Sequence, residues 1–205
     1  MDADAVEIRV LGCLIEKQRT TPEAYPLSLN ALRLACNQTT NRDPVVEYDE
    51  ATIREALNRL SRRGWARLAS GRGSRAVKFR QLFDEALGLT PEQTAVLAAL
   101  MLRGPQTPGE LKQRTPRLHP FDGLDGILTV LDELLGRELV RRLPRRPGQK
   151  EERYEHLLSE ATADAAPAPV HEEGPDRIGE LERAVAELRD EVAALRADLD
   201  SLRRD

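Results

Sequence analysis

Two cysteines, three histidines and a high density of arginine are the side chains of this 205-residue sequence that invite a chemical reading. Cys13 and Cys36 stand 23 residues apart within helical patterns. They match no metal-ligating or redox spacing, so they are expected to be small buried residues. His119, His156 and His171 are widely separated, which leaves no cluster able to hold a metal ion. No HExxH, Walker A, GxSxG or dinucleotide fingerprint occurs. Gly71-Arg72-Gly73 resembles a phosphate loop, but no strand-to-helix turn follows it, and the tip of a hairpin is the better account. Nucleophile, base and stabilising donors never converge, so the expectation is a non-enzymatic protein with no cofactor and no metal.

The chemistry that remains is electrostatic. Residues 1–80 hold 14 basic and 10 acidic side chains, residues 81–158 hold 11 and 12, and residues 159–205 hold 6 and 13. The basic excess therefore sits at the front of a chain whose net charge is -4, and a local field can bind a polyanion whatever the total. Three groups of residues fit such contacts. Thr52, Asn58, Arg59 and Arg62 would meet base edges or phosphates from a helix. Arg72, Arg75 and Lys78 would touch phosphates or the minor groove from a hairpin tip. Arg142, Arg145, Arg146 and Lys150 would grip a backbone from a second loop. Glu50 and Glu55 share the helix, and Glu151 and Glu152 follow the second loop, so contact with a protein is an open alternative.

These side chains need elements to position them. Val6, Ile8, Val10, Leu11, Leu14 and Ile15 contain the i, i+3, i+4 and i+7 steps of a buried helix face. Leu27 to Cys36 reads as a second short helix with Ser28 as its cap. Asp49 caps a third, with Ile53, Leu57 and Leu60 facing inward, Arg54, Asn58, Arg59 and Arg62 facing outward, and Gly64 at its stop. Trp65–Leu68 and Ala76–Phe79 read as strands of a glycine-tipped hairpin. Three helices and a hairpin form the winged-helix order, an elaboration of helix-turn-helix.

The same order recurs from Thr90-Pro91-Glu92, a cap and proline at a helix start. Val96, Leu97, Leu100, Met101 and Leu102 make a second first helix, and Pro108–Lys112 opens another short one. The stripe Leu124, Ile127, Leu128, Leu131, Leu134 and Leu135 makes the third, before strands at Leu139–Leu143 and Arg153–Leu157. Residues 159–176, rich in Ala, Pro, Glu and Asp without periodicity, read as a flexible tether. Beyond it, Ile178, Leu181, Val185, Leu188, Val192, Leu195, Leu199 and Leu202 alternate steps of three and four residues. That seam suits a parallel two-stranded coiled coil and hence a homodimer, with a lone amphipathic helix folded back on the domains as the alternative.

The expected architecture is thus mainly α with small β-hairpins (α+β): winged-helix domains at 1–81 and 82–158, a tether at 159–176 and a coiled-coil helix at 177–205. Aromatic residues make up only 3% of the chain, so Leu, Val, Ile and Ala must fill its cores. No apolar run approaches the ~18 residues that span a bilayer, and the acidic Met1-Asp2-Ala3-Asp4 is unlike a signal peptide. A cytoplasmic protein without membrane contact is expected.

Specific motifs carry a resemblance. Leu11-Gly12-Cys13-Leu14-Ile15-Glu16-Lys17, Thr21-Pro22-Glu23-Ala24-Tyr25-Pro26-Leu27-Ser28-Leu29-Asn30-Ala31-Leu32 and Ala35-Cys36-Asn37-Gln38-Thr39-Thr40-Asn41-Arg42-Asp43-Pro44-Val45 are the first three. Arg103–Leu111, Leu118–Phe121 and Leu143–Tyr154 extend them. Together they resemble the YceH-like family of bacterial proteins over about residues 5–158. The resemblance implies a tandem winged-helix fold, and DNA binding or transcriptional regulation by analogy of fold alone. It supplies no catalytic residue to carry over.

The polar motif between the second and third helices has two readings. Asn37, Gln38, Asn41 and Arg42 either cap helix ends and fix the angle between helices, or form an exposed polar surface for a phosphate or a peptide. Taken together, the residues point to a dimeric binding protein for double-stranded DNA, with a protein-interaction adaptor as the rival.

Overall fold

A computed structural model describes residues 3–69, 77–145 and 151–159. Arg72, Arg75, Arg146 and Lys150, the tether beyond Ser159 and the whole seam from Ile178 to Leu202 lie outside the described residues.

The described chain is a mostly helical α+β body. Its first half runs α1 (Ala5–Thr20), a 3-10 turn (Pro22–Ala24), β1 (Leu27–Ser28), α2 (Leu29–Cys36), α3 (Glu50–Arg62), β2 (Ala66–Leu68) and β3 (Lys78–Gln81). A short helix, α4 (Phe83–Leu87), leads into α5 (Pro91–Arg103), α6 (Pro108–Arg114), α7 (Gly123–Gly136), β4 (Val140–Leu143) and β5 (Arg153–His156). Helix-helix-helix-hairpin therefore occurs twice. Two elements were not anticipated: α4, too short to show a period, and β1, which claims Leu27 from the expected second helix. Ser28 ends β1 and also caps α2, its Oγ accepting the Ala31 N–H at 3.2 Å.

The helix starts follow the cap residues. Asp4 and Glu7 form a reciprocal capping box on α1, as do Thr90 with Gln93 on α5 and Thr107 with Glu110 on α6. Asp49 caps α3 by accepting the Thr52 N–H at 2.7 Å. Gly64 follows α3 at φ 72°, a left-handed conformation that costs a residue without Cβ nothing.

Both first helices are buried on every side over most of their length, Glu7–Ile15 in α1 and Gln93–Leu102 in α5. A helix with no solvent face belongs to the centre of a core. Each repeat turns its first helix toward the other, so α1 against α5 is the most extensive contact between elements. Gly12 makes the approach close: a Cβ there would stand 3.0 Å from Leu102 Cγ and Cδ2 and 3.2 Å from Met101 Cβ. The Asp43 N–H donates to Leu102 O at 2.8 Å and the Ala3 N–H to Leu158 O at 3.1 Å, adding backbone ties across the same seam. One apolar cluster consequently runs from Ala3 to Leu158, within a single compact unit, Met1–Ala163.

The sheets are small. Antiparallel β1-β3-β2 sets Leu27, Phe79 and Leu68 in one row across three strands, and β4 pairs with β5 from Val140↔His156 to Leu143↔Arg153. On α7, Ile127, Val130, Leu131 and Leu134 are buried, whereas Leu124 and Leu128, expected in the apolar stripe, are 39% and 37% exposed. Among the described residues no helix is long and apolar enough to cross a membrane.

Candidate nucleic-acid interface

The outward face of α3 is set by the inward one. With Ile53, Ala56, Leu57 and Leu60 buried, Arg54, Asn58 and Arg62 are left on one exposed stripe at i, i+4 and i+8. Arg54 has no ion pair among the described residues, and Arg62 makes only a 3.4 Å contact from its Nε to Asn58 O. Both guanidiniums are open to an external anion.

Arg59, expected on that face, is turned away from it. Its Nη2 donates to Asp4 Oδ2 at 2.6 Å, and it stands 3.4 Å from both Glu7 and Glu55. Glu7, almost wholly buried, also accepts from Arg63 at 3.0 Å, so these arginines bind α3 to α1. Thr52 is engaged as well: its N–H donates to Asp49 Oδ1 at 2.7 Å, and hydrogen bonding from Thr52 holds that acid below its ordinary pKa. Of the four helix candidates, Asn58 and Arg62 are presented outward, and Arg54 takes the place of Arg59. The omission had a readable signal: Arg54 is the residue that completes an i, i+4, i+8 spacing with Asn58 and Arg62.

Strand alternation builds the second surface. Arg67 pairs in register with Arg80, and Lys78 lies two residues from Arg80, so all three share one face of the hairpin. Like charges directly opposed are unfavourable; Arg80 is relieved by Glu85 at 2.5 Å, while Arg67 and Lys78 have no ion pair among the described residues. The opposite face carries Ala66, Leu68, Val77 and Phe79, passing from buried Ala66 to Leu68 and Val77 at 59% and 58% exposure. Arg67 was not among the sequence candidates, and Lys78, expected at a hairpin tip, lies within β3 on the same face as Arg67.

The second hairpin differs. Arg141 is bound to Glu155 at 2.7 Å, and Arg142 lies 3.3 Å from Glu152 with its guanidinium over the Tyr154 ring. Arg145 is exposed and without an ion pair among the described residues. Helix α7, which takes the place of α3 in the second repeat, carries Asp125, Asp132 and Glu133 and no cation.

The polar motif is scaffold. Asn37 donates from Nδ2 to Tyr48 O at 2.8 Å and accepts the Tyr48 N–H at 2.9 Å, which closes the loop between α2 and α3. Arg42, read as exposed in one alternative, is instead buried: its Nη atoms reach Glu16 Oε1 at 3.1 Å and Oε2 at 2.6 Å. Further bonds run from it to Gln38 Oε1 at 2.8 Å, Ala35 O at 3.1 Å and Asn41 O at 2.9 Å. Asn41, left-handed at φ 61°, accepts from Arg103 of α5. Of the four, Asn41 is exposed, Asn37 and Gln38 are half-buried and Arg42 is buried. Among the described residues no group of His, Cys, Asp and Glu could hold a metal ion.

Comparison with known proteins adds relatives. The family model described as a protein of unknown function, DUF480, matches residues 3–149. A UPF0502 protein of Pelobacter propionicus is 50% identical over 208 residues, covering 96% of this chain and 94% of its own. One from Opitutus terrae is 48% identical, covering 90% and 82%, and one from Azotobacter vinelandii is 51% identical, covering 77% and 70%.

Proposed function

Because this chain belongs to the DUF480 (UPF0502) family, whose description assigns no activity, we propose from its own surfaces that it is a duplex DNA-binding protein of tandem winged-helix design. The observation that carries this reading is a set of cations without an ion pair among the described residues, exposed Arg54 and Arg62 on α3 and exposed Arg67 with half-buried Lys78 on the adjoining hairpin. A third helix carrying Arg and Asn at successive turns suits a major groove, and a cationic hairpin suits the phosphates beside it. The two repeats supply the helix-helix-helix-hairpin order on which the winged-helix reading rests. Dimerisation through the Ile178–Leu202 seam would raise the effective concentration at paired sites and fits a regulator of transcription.

Titration of mixed genomic fragments against the full chain tests this at two salt concentrations. Binding should weaken as salt rises, with a log-log slope of about -0.9 per phosphate contacted. Arg54→Ala with Arg62→Ala should flatten that slope by up to about 2 while leaving the melting temperature unchanged. No affinity at about 50 mM salt would end the proposal.

A second reading, an adaptor that docks a protein, is favoured by α7. Its exposed Leu124 and Leu128 are flanked by acids, so this helix repels phosphates and offers an apolar, anionic face. Retention of a protein after nuclease treatment, lost in Leu124→Ser/Leu128→Ser, would favour it over the first.

A further inference from the structure

The third helices of the two repeats present complementary open faces. Burial of Ile127, Val130, Leu131 and Leu134 turns Leu124, Asp125, Leu128 and Asp132 of α7 outward. Asp125 and Asp132 fall on one line along the helix at i and i+7, beside the line through Leu124 and Leu128. Neither acid has an ion pair among the described residues, whereas Glu133 is taken up by Gln93 Nε2 at 2.8 Å. On α3 the unpaired cations are Arg54 and Arg62, since Arg59 is bound to Asp4, Glu7 and Glu55. Glu50 extends that stripe by one turn toward the N-terminus, so its cationic part is the stretch from Arg54 to Arg62.

The two faces match in length and in chemistry. At a rise of 1.5 Å per residue, Arg54 to Arg62 spans about 12 Å and Asp125 to Asp132 about 10.5 Å, a difference well within the reach of an arginine side chain. A guanidinium meets a carboxylate through paired hydrogen bonds, and its methylene stem covers apolar surface. Laid across α7, the arginines of α3 would set their head groups at Asp125 and Asp132 and their stems over Leu124 and Leu128. One type of side chain thus answers both the acidic and the apolar line. Each face is held outward by the buried side of its own helix and is open in the single chain. Bringing them together therefore takes a second copy.

We propose that α3 of one copy docks on α7 of another. The proposal rests on the reading of α7 as a protein-docking face and names its partner; it is independent of whether the chain binds DNA. The joined faces differ, so the contact is head-to-tail and leaves one α3 and one α7 open at the ends of each assembly. A single helix face on another buries less than the roughly 1,000 Å² of a durable interface, which makes the contact transient and concentration-dependent. Its charged half makes it sensitive to salt.

Sedimentation velocity of the purified, nuclease-treated full chain is the test, run from about 5 to about 200 µM protein at about 50 and about 500 mM salt. At low salt the mean sedimentation coefficient should climb with concentration, and high salt should flatten the climb. Arg54→Glu with Arg62→Glu, and separately Asp125→Lys with Asp132→Lys, should each weaken self-association at least about tenfold. An equimolar mixture of the two variants should restore it, because the reversed α3 then meets a reversed α7. That restoration also shows both variants to be folded. The seam from Ile178 to Leu202 is present in every variant, so any pairing through it shifts all of them alike. Absence of a climb, a climb indifferent to both reversals, or failure of the mixture to restore it would overturn the pairing. If a protein from nuclease-treated lysate is still retained through Leu124 and Leu128 in that event, α7 docks a different partner; if none is, the docking reading of α7 falls as well.

Discussion

Replacing Arg42 by methionine removes a guanidinium while keeping most of its apolar stem, and the consequence can be worked from its contacts. Five hydrogen bonds are lost, to Glu16 Oε1 and Oε2, Gln38 Oε1, Ala35 O and Asn41 O. Among the described residues the Glu16 carboxylate, 16% exposed, keeps only Lys17 at 3.7 Å. Breaking a buried pair from one side costs about 3–5 kcal/mol, because the other charge is stranded. Partial access of water to Glu16 places the loss near the lower end, about 3 kcal/mol. For a unit of this size that corresponds to a melting temperature lower by roughly 6–12 °C. Urea unfolding followed by circular dichroism measures it, and Glu16→Gln combined with Arg42→Met should recover at least about 1 kcal/mol of the single-variant loss. If Arg42→Met unfolds within about 0.5 kcal/mol of the parent yet abolishes binding to DNA, the scaffold assignment is wrong and Arg42 is a recognition residue.

Other expectations follow from the same geometry. Burial holds the His156 ring neutral, pushing its pKa down to about 4 against a small opposing effect of Glu155; unfolded, it titrates near 6.5. Between those values the unfolded chain binds a proton that the native chain does not, so stability present above about pH 6.5 falls toward pH 4 at up to about 1.4 kcal/mol per unit. Urea midpoints across that range should show the fall, and His156→Gln should remove its share. Gly12→Val drives methyl groups against Leu102 and Met101 and should cost about 1–3 kcal/mol, whereas Gly136→Ala, with nothing within 4 Å of the new Cβ, should be neutral or stabilising. Equal melting temperatures for these two glycine variants would contradict the close α1–α5 approach. Arg67→Ala should weaken DNA binding at low salt and shallow its salt dependence by about 0.9, without loss of stability; an unchanged slope removes Arg67 from the interface.

Much of this fold was legible because its signals are local. Caps at Asp49, Thr90 and Ser28 act within one helical turn, and the apolar periods of α1, α3 and α5 appear within a dozen residues. Side-chain commitment was not legible. The spacing of Arg54, Asn58 and Arg62 marks one stripe of α3, but it does not tell that Arg59 is consumed by Asp4 and Glu7, residues about fifty positions away. Likewise Arg42 carries the composition of a surface residue and becomes interior only because α1 brings Glu16 to it.

The amino-acid sequence by itself determined the described helices other than α4, the two hairpins and the recurrence of their order, since each depends on backbone preference and on which face of an element is apolar. Tertiary structure alone decided that the first helices of the two repeats pack into one core, that Arg42 is buried against Glu16, and which arginines remain open to an anion. The physical reason is range: a period or a cap is written in neighbouring residues, whereas burial of a charge depends on partners that only the packed chain brings together.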